Sequence, residues 1–198
     1  MSGGAVAGPD GLLRCPWALS APEYLDYHDH EWGRPVRTVH GLYERMTLEA
    51  FQSGLSWITI LRKRENFRKA FAGFDPEQVA RFDHTDVERL MGDAGIVRNR
   101  AKIEAAINNA RVVTELGEDF ARLILRHQVV DRRRPNAEDW RATSPESLAM
   151  AKELKRHGFR FFGPTTAYAL MQAVGLVDDH LADCFVQAAE QPPAGPET

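Results

Sequence analysis

Apolar side chains recur along most of this chain at the three- and four-residue spacing of amphipathic helices. The clearest stripe consists of Ile103, Ala106, Ile107, Ala110, Val113 and Leu116. An earlier segment repeats the spacing with Phe67, Ala70, Phe71 and Phe74. Because no strand-like alternation of convincing length interrupts these stripes, the pattern predicts an all-α fold.

Proline marks where two of the helices begin. Asp75-Pro76 and Ser144-Pro145 each combine a capping side chain with proline at the first helical position. The least regular stretch runs from Val129 to Thr143, and we expect it to connect two helical lobes of a single domain over residues 14–190. Residues 1–13 are rich in Gly and Ala, and residues 191–198 lack a core-forming side chain, so both ends are predicted to be disordered.

The composition is that of an ordinary soluble protein. The 198 residues are enough to bury a core, and 43% of them are apolar and 27% charged. A net charge of −3 argues against a polycation that binds nucleic acid over its whole surface, although it allows a local basic face. We expect no membrane span and no signal peptide. The two distant cysteines fit a cytoplasmic protein with reduced thiols.

Two cysteines and two histidines can be combined into one tetrahedral metal site. His180 and Cys184 are four residues apart, so a helix would present both on one face, while Cys15 and His28 lie near the other end of the chain. Thiolate and imidazole ligands together favour zinc over magnesium or calcium. Such a site would tie the N-terminal to the C-terminal segment. The alternative is a chance pairing, with the cysteines as small buried apolar side chains.

Large aromatic side chains with polar groups are concentrated near the N-terminus, at Trp17, Tyr24, Tyr27 and Trp32. They would form either a small aromatic core beneath a loop or a pocket in which a planar ligand stacks. Glu49 favours the pocket. It is predicted to lie in a helix among apolar neighbours, where a carboxylate is costly unless it has a partner or a task.

A glycine-containing turn from Gly158 to Thr166 separates two predicted helices. The second helix, which begins near Thr165, would offer free backbone N–H groups to phosphate oxygens. Positive charge nearby would come from Lys152, Lys155, Arg156 and Arg160. A second basic group comprises Arg98, Arg100 and Lys102, and a third is Arg62-Lys63-Arg64. Basic runs are commonly no more than solvated helix faces, but three such groups beside glycine-containing turns favour local contact with DNA.

Several longer motifs occur along the chain. They are Arg14-Cys15-Pro16-Trp17, Tyr27-His28-Asp29-His30-Glu31-Trp32-Gly33, Gly54-Leu55-Ser56-Trp57 with Arg64-Glu65-Asn66, Asp93-Ala94-Gly95-Ile96, and Gly163-Pro164-Thr165-Thr166 through to Asp179-His180. Over roughly residues 14–184 the chain resembles the 3-methyladenine DNA glycosylase I family, a branch of the helix-hairpin-helix glycosylases.

This resemblance implies a two-lobed helical fold around a base-binding cleft, with a helix-hairpin-helix near residues 150–175. It also implies hydrolysis of the N-glycosidic bond of 3-methyladenine in alkylated double-stranded DNA, a base-excision repair step that leaves an abasic site. Alkylation at N3 makes adenine cationic and weakens its bond to the sugar, so positioning and electrostatics are expected to provide most of the catalysis. We expect a monomer that requires no protein partner.

The resemblance further implies roles for individual residues. Glu49 and Tyr27 would hydrogen-bond the flipped base, and Trp57 would stack on it. The rest of the pocket would be lined by Trp17, Tyr24 and Trp32. The turn at Gly54 and Leu55 would probe the gap left in the duplex, and the DNA backbone would be held by Arg160, Gly163, Thr165 and Thr166. A structural zinc ion would be bound by Cys15, His28, His180 and Cys184.

Asp178 departs from the usual family sequence. The chain reads Val177-Asp178-Asp179-His180, where the family usually has Asn in the second position and the wider superfamily has a catalytic Asp. Asp178 is therefore either a catalytic residue or a cap of the final helix, for which Asp and Asn are about equally good. We favour the cap.

Two other functions compete with base excision. His28-Asp29 and Asp178-Asp179-His180 would suit a metal-dependent phosphohydrolase of the His-Asp type, although two thiolates favour a closed structural zinc site over an open catalytic one. A protein that binds damaged DNA without cleaving it would keep the pocket. Glu49 and the aromatic set argue against this second alternative.

Overall fold

The computed structural model describes residues 3–129 and 133–186. Its regular elements are strands β1 (Val6–Ala7) and β2 (Leu13–Arg14) and helices α1 (Pro22–His30), α2 (Val39–Gln52), α3 (Trp57–Ala70), α4 (Pro76–Ala80), α5 (His84–Gly92), α6 (Arg100–Leu116), α7 (Glu118–Leu125), α8 (Pro145–Arg156) and α9 (Pro164–Ala173). Single 3₁₀ turns cover Pro16–Leu19, Ala72–Phe74 and Ala137–Asp139. The predicted, mostly helical fold is confirmed.

Local sequence sets the starts of α4 and α8 as predicted. The Asp75 carboxylate accepts a hydrogen bond from the backbone N–H of Glu77 at 2.9 Å, just ahead of Pro76. Ser144 and Ser147 cap α8 reciprocally, each side chain accepting from the other's backbone N–H. Both caps satisfy N–H groups that have no partner inside their helix.

The main hydrophobic core surrounds α2, which packs against α3, α6, α7 and α9. The predicted stripe of α6 faces this core, because Ile103, Ala110 and Val113 are fully buried. A second, smaller cluster joins the two ends of the described chain. It contains Cys15, Tyr27, Trp32, Leu181, Cys184 and Val186. None of the described helices is long and apolar enough to cross a membrane.

The expected disorder of residues 1–13 is wrong for residues 3–13. Strands β1 and β2 pair antiparallel, with Val6 opposite Arg14. The turn between the strands runs from Gly8 to Gly11, whose backbone N–H donates to the Gly8 carbonyl at 3.0 Å. Its Asp10-Gly11 pair is a hairpin signal that the sequence prediction overlooked. The backbone N–H of Ala5 also donates to Asp183 at 3.0 Å, a contact across the whole chain that local composition does not reveal. Residues 191–198 lie outside the described part of the chain.

The expected helix carrying His180 and Cys184 is also wrong. Residues 174–186 form turns and one parallel bridge, in which Leu181 pairs with Arg134. The conformation of this segment is determined by contacts with distant residues and not by a local helical pattern. Asp178 consequently caps none of the described helices, since α9 ends at Ala173.

Candidate active site

An aromatic cavity of about 280 Å³ lies among the ends of α1, α2, α3 and α9. All the side chains predicted for the base pocket line it: Trp17, Tyr24, Tyr27, Trp32, Glu49 and Trp57. Four further residues complete the wall and were not predicted: Gln52, Trp140, Ala169 and Gln172. Residues separated by most of the chain are thus brought together at one site.

The aromatic rings pack edge to face and tilted, so they form a continuous wall. The Trp57 ring centroid lies 5.3 Å from that of Tyr27, at an interplanar angle of 44°. Trp17 makes edge contacts with Tyr24 and Trp32 at 5.4 and 5.1 Å. The Tyr24 hydroxyl accepts the backbone N–H of Ile58 at 2.8 Å, which fixes α1 against the start of α3.

Glu49 places a carboxyl group in this wall, and no described residue forms a hydrogen bond or ion pair with it. Its side chain is only 5% exposed. Burial raises the pKa of Glu49 to about 8, the charge of Arg45 opposes the rise, and no hydrogen bond contributes. Arg45 and Arg64 are both bound to Glu31, at 2.8 and 2.6 Å. Glu49 is therefore left available for a ligand.

Tyr27 remains a hydrogen-bond donor beside this carboxyl group. Burial and the charge of Glu49 raise the pKa of the Tyr27 hydroxyl above its usual value. The phenol accordingly keeps its proton over the physiological range. The cavity thus combines a carboxyl acceptor, a phenol donor and the faces of several electron-rich rings, a set that suits a planar cation with an exocyclic amine.

Three of the four predicted metal ligands form a buried cluster. Ligand atoms of Cys15, His28 and Cys184 all lie within 4.8 Å of one another. The Cys184 Sγ atom lies 3.6 Å from His28 Nε2. The hydrogen bond between the two thiols lowers the pKa of Cys184 and raises that of Cys15. Cys184 is therefore the thiol of the pair that ionises more readily, and the thiolate is the form that binds metal.

The fourth predicted ligand, His180, lies beside this cluster, with its ring centroid 5.1 Å from that of His28. His180 Nε2 is buried and has no hydrogen-bond partner within the described residues. The Nδ1 atoms of His28 and His180 lie 2.8 and 3.0 Å from the carboxylates of Asp29 and Asp178. Because a carboxylate only accepts, each Nδ1 carries the proton and each Nε2 keeps its lone pair for a metal. The donor types of Cys15, His28 and Cys184, with His180 beside them, are those that zinc prefers.

Asp178 supports His180 and does not line the cavity. Its carboxylate accepts from the backbone N–H of His180 at 3.2 Å and from Arg133 Nε at 2.7 Å. Burial alone would raise the pKa of Asp178. The hydrogen bonds from His180 and Arg133 outweigh burial, so the pKa lies below its usual value. The helix cap favoured from sequence is wrong. The contacts fit a residue that orients the His180 ring.

The residues predicted to contact DNA lie on two exposed turns. Leu55, 43% exposed, follows Gly54, whose φ of +80° favours glycine. Arg160, Gly163 and Thr165 are exposed in and after the turn between α8 and α9, and Thr166 is half-buried. Lys102 joins the two turns. Its Nζ atom donates to the carbonyl of Ser53 at 2.5 Å and lies 5.6 Å from the ring centroid of Phe161.

Comparison with known proteins agrees with this site. The methyladenine glycosylase family model matches residues 17–187. The chain belongs to the methyladenine glycosylase family. DNA-3-methyladenine glycosylase of Haemophilus influenzae is 43% identical over 177 residues, which is 86% of this chain and 96% of that protein. DNA-3-methyladenine glycosylase 1 of Escherichia coli is 43% identical over 187 residues, which is 91% of this chain and 100% of that protein.

A solved structure of another family member has the same fold. 3-Methyladenine DNA glycosylase I from Staphylococcus aureus is 34% identical and matches with a TM-score of 0.85 over 90% of this chain and 98% of that one. The resemblance found in the sequence is confirmed. Sequence reasoning missed four lining residues of this glycosylase. Gln52 could have been predicted, because it lies one helical turn after Glu49 on the same face of α2.

Proposed function

We propose that the protein hydrolyses the N-glycosidic bond of 3-methyladenine in alkylated double-stranded DNA and leaves an abasic site for base-excision repair. Its curated relatives are named DNA-3-methyladenine glycosylases, and the structure from S. aureus concerns 3-methyladenine recognition. The observation that carries the proposal is the buried carboxyl group of Glu49, without a strong partner, in an aromatic cavity large enough for one purine.

The side chains of the cavity suit a cationic base. A flipped 3-methyladenine would stack on Trp57, and its exocyclic amine would donate to Glu49. The positive charge of the alkylated base favours the ionised form of Glu49, and their attraction is strong because the cavity excludes water. Tyr27 would donate to a ring nitrogen. Since alkylation has already weakened the glycosidic bond, holding the base in this orientation supplies most of what the reaction requires.

A structural zinc ion is the second part of the proposal. Cys15, His28, His180 and Cys184 would hold it, and it would supply a cross-link between the ends of the chain and no chemistry at the base. The His28 ring contacts Trp17 at 5.3 Å, and the His180 ring contacts Trp32 at 4.7 Å. The site would therefore support two walls of the cavity from behind.

DNA would be held at the two exposed turns. Leu55 would enter the gap left by the extruded nucleotide. The helix-hairpin-helix of α8 and α9 would bind the backbone through Arg160, Gly163, Thr165 and Thr166, with backbone N–H groups at the start of α9 facing phosphate oxygens. We propose that the enzyme acts in the cytoplasm as a monomer without a protein partner, and light scattering tests the monomer.

Base release from methylated duplex DNA tests the function. We expect chromatography to detect free 3-methyladenine with the wild type. Glu49→Gln should reduce release by at least a hundredfold, the scale expected when an electrostatic partner is lost, while DNA affinity stays near wild type. Glu115→Gln, an exposed substitution on α6, is the matched control and should release base normally.

The competing functions give different results in the same assay. A protein that binds methylated DNA tightly and releases no base would be a reader of damage. Chelator-sensitive release of phosphate, without base release, would favour the phosphohydrolase. Near wild-type release by Glu49→Gln would contradict the role of Glu49.

A further inference from the structure

The α9 side of the cavity carries a buried polar network that the role of Glu49 leaves unexplained. Asp179 is 2% exposed. Its Oδ2 atom accepts hydrogen bonds from the Tyr168 hydroxyl at 2.8 Å and from Gln172 Nε2 at 2.9 Å. Its backbone carbonyl accepts the indole N–H of Trp140 at 2.9 Å. Gln172 and Trp140 both line the cavity, so Asp179 holds two of its walls.

These hydrogen bonds fix which end of the Gln172 amide is available to a ligand. A carboxylate has no proton to give, so the amide group must turn its nitrogen toward Asp179. Tyr168 does not compete as an acceptor from Gln172. Burial and the hydrogen bond to Asp179 raise the pKa of Tyr168 to about 12, and its proton stays on the hydroxyl that donates to Asp179. The carbonyl oxygen of Gln172 is what the side chain can offer to the cavity.

The backbone of Gln172 is held as well. Its carbonyl accepts the backbone N–H of Gly33 at 3.1 Å, next to Trp32 of the aromatic wall. The residue is anchored at its main chain and at its side-chain nitrogen. A side chain fixed at both points offers its remaining polar atom with little loss of conformational entropy when a ligand binds.

We infer that Gln172 is a specificity-determining residue, which Asp179 orients so that its carbonyl oxygen accepts a hydrogen bond from the exocyclic amine of an adenine-type base. This inference rests on the proposed function and deepens it. An amine has two hydrogens, and acceptors on two different helices, Glu49 on α2 and Gln172 on α9, can satisfy both. A 6-oxopurine would instead bring an oxygen against these acceptors and leave it without a donor, which is costly in a buried site.

Binding of two free bases tests the inference without requiring catalysis. 3-Methyladenine and 3-methylhypoxanthine differ in having an amine or an oxygen at position 6. We expect the wild type to prefer 3-methyladenine, and Gln172→Met to lower the ratio of the two affinities by about three- to tenfold, the scale of one hydrogen bond. Gln78→Met is the matched control, because Gln78 donates to Asp75 at 2.7 Å in a similar pair on the exposed helix α4.

Asp179→Asn tests the orienting step. The new amide nitrogen can donate to the oxygen of Gln172, which would turn the Gln172 amide and present its nitrogen to the ligand. We expect weaker binding of 3-methyladenine and tighter binding of 3-methylhypoxanthine than in the wild type. Tyr168→Phe removes the other hydrogen bond to Asp179 Oδ2 but leaves the Gln172 contact, so it should keep the wild-type preference.

Two results would overturn the inference. In the first, Gln172→Met weakens the binding of both bases by the same factor, as the loss of a purely structural side chain would. In the second, it leaves both affinities unchanged. If Asp179→Asn fails to fold, the Gln172→Met ratio still decides. Base release from methylated DNA is measured with the same wild-type preparation. A wild type that releases 3-methyladenine while Gln172→Met keeps the full preference refutes the inference alone, whereas a wild type that releases nothing refutes the proposed function.

Discussion

At the scale of single residues, Glu49 serves binding at the expense of stability. An ionised carboxyl group among buried aromatic rings has lost its water and gained little in return. The raised pKa means that Glu49 is mostly protonated at neutral pH in the free protein. A cationic base would reverse this, because an adjacent positive charge favours the ionised form. Glu49 is therefore expected to bind a cationic base more tightly than a neutral one.

Glu49→Gln should stabilise the folded protein at high pH. The pKa of Glu49 rises from its ordinary value of 4.5 to about 8 on folding. The stability that protonation of this group contributes is complete below about pH 4.5 and is lost as pH rises through about 8, a change on the order of 5 kcal/mol. Gln resembles the protonated form and has no such loss. Urea unfolding at pH 5 and pH 9 should therefore show the variant's advantage growing with pH, and an advantage that is the same at both values would contradict the buried carboxyl.

The same group should govern the pH dependence of excision. If the carboxylate is the active form, kcat/KM for base release should rise with pH and reach its midpoint near 8, the pKa of Glu49 in the free protein. The midpoint of kcat should lie lower, because the bound cationic base lowers that pKa. Steady-state rates from pH 6 to pH 9 measure both profiles. Glu49→Gln should lose the inflection, and an inflection that survives in this variant would assign it to another group.

Sequence alone predicted most of the cavity and little of its polar detail. Trp57 and most of the N-terminal aromatics were identifiable because they belong to motifs, and Glu49 because a carboxylate is unusual among apolar neighbours. Trp140 was missed because it comes from an irregular segment whose position depends on contacts with Asp179. The orientation of Gln172 likewise depends on a long-range hydrogen bond, which no spacing along the chain encodes.

At the scale of elements, two side chains of α6 hold the turn between α8 and α9. Asn109 accepts the backbone N–H of Arg160 at 2.8 Å and donates to the Arg160 carbonyl at 3.0 Å. Asn108 adds one bond to the carbonyl of Gly158 at 2.9 Å. These contacts satisfy backbone groups of a turn in which Phe161 adopts a φ of +58°, uncommon for a bulky residue. The turn is thereby fixed in one shape.

Asn109→Ala should weaken DNA binding more than Asn108→Ala does. Asn109→Ala removes two hydrogen bonds to the Arg160 backbone, whereas Asn108→Ala removes one to the Gly158 carbonyl. The turn proposed to bind DNA should therefore be less well ordered in Asn109→Ala. We expect about a tenfold increase in the Kd for abasic duplex DNA with Asn109→Ala and a smaller increase with Asn108→Ala. Fluorescence anisotropy measures this. Binding of free 3-methyladenine should be unchanged in both variants, and a parallel loss of base binding would show that the turn acts through the cavity instead.

Elements were predictable where local chemistry determines them. Asp75-Pro76 and Ser144-Pro145 start helices because cap and proline act within one turn. The predicted helix over His180 and Cys184 failed because four-residue spacing is compatible with a helix but does not require one. In the structure, a β-bridge between Leu181 and Arg134 holds that segment in a non-helical conformation.

At the scale of the whole molecule, the small cluster around Cys15 and Cys184 joins the two ends of the described chain behind the cavity. Packing there is close. A Cβ atom on Gly33 would lie 2.8 Å from the His180 ring, so only glycine fits. The proposed zinc ion would close a loop of nearly the full chain length, and cross-links that close long loops restrict the unfolded state most. The cavity walls would then depend on a contact between chain ends.

Loss of the metal should therefore destabilise the whole protein and open the cavity. We expect about one zinc per chain in the purified protein, by elemental analysis. Cys184→Ser should abolish it and lower the free energy of unfolding by about 4 kcal/mol or more, the scale of a long-range cross-link. Tryptophan emission should shift to the red at the same time, because Trp17 and Trp32 pack on the two histidine rings. A chelator should lower the Tm of the wild type but not that of Cys184→Ser, which separates the metal from the thiol itself. Wild-type protein that contains no zinc, and whose Tm neither the chelator nor Cys184→Ser changes, would show that the four side chains are merely a buried polar cluster.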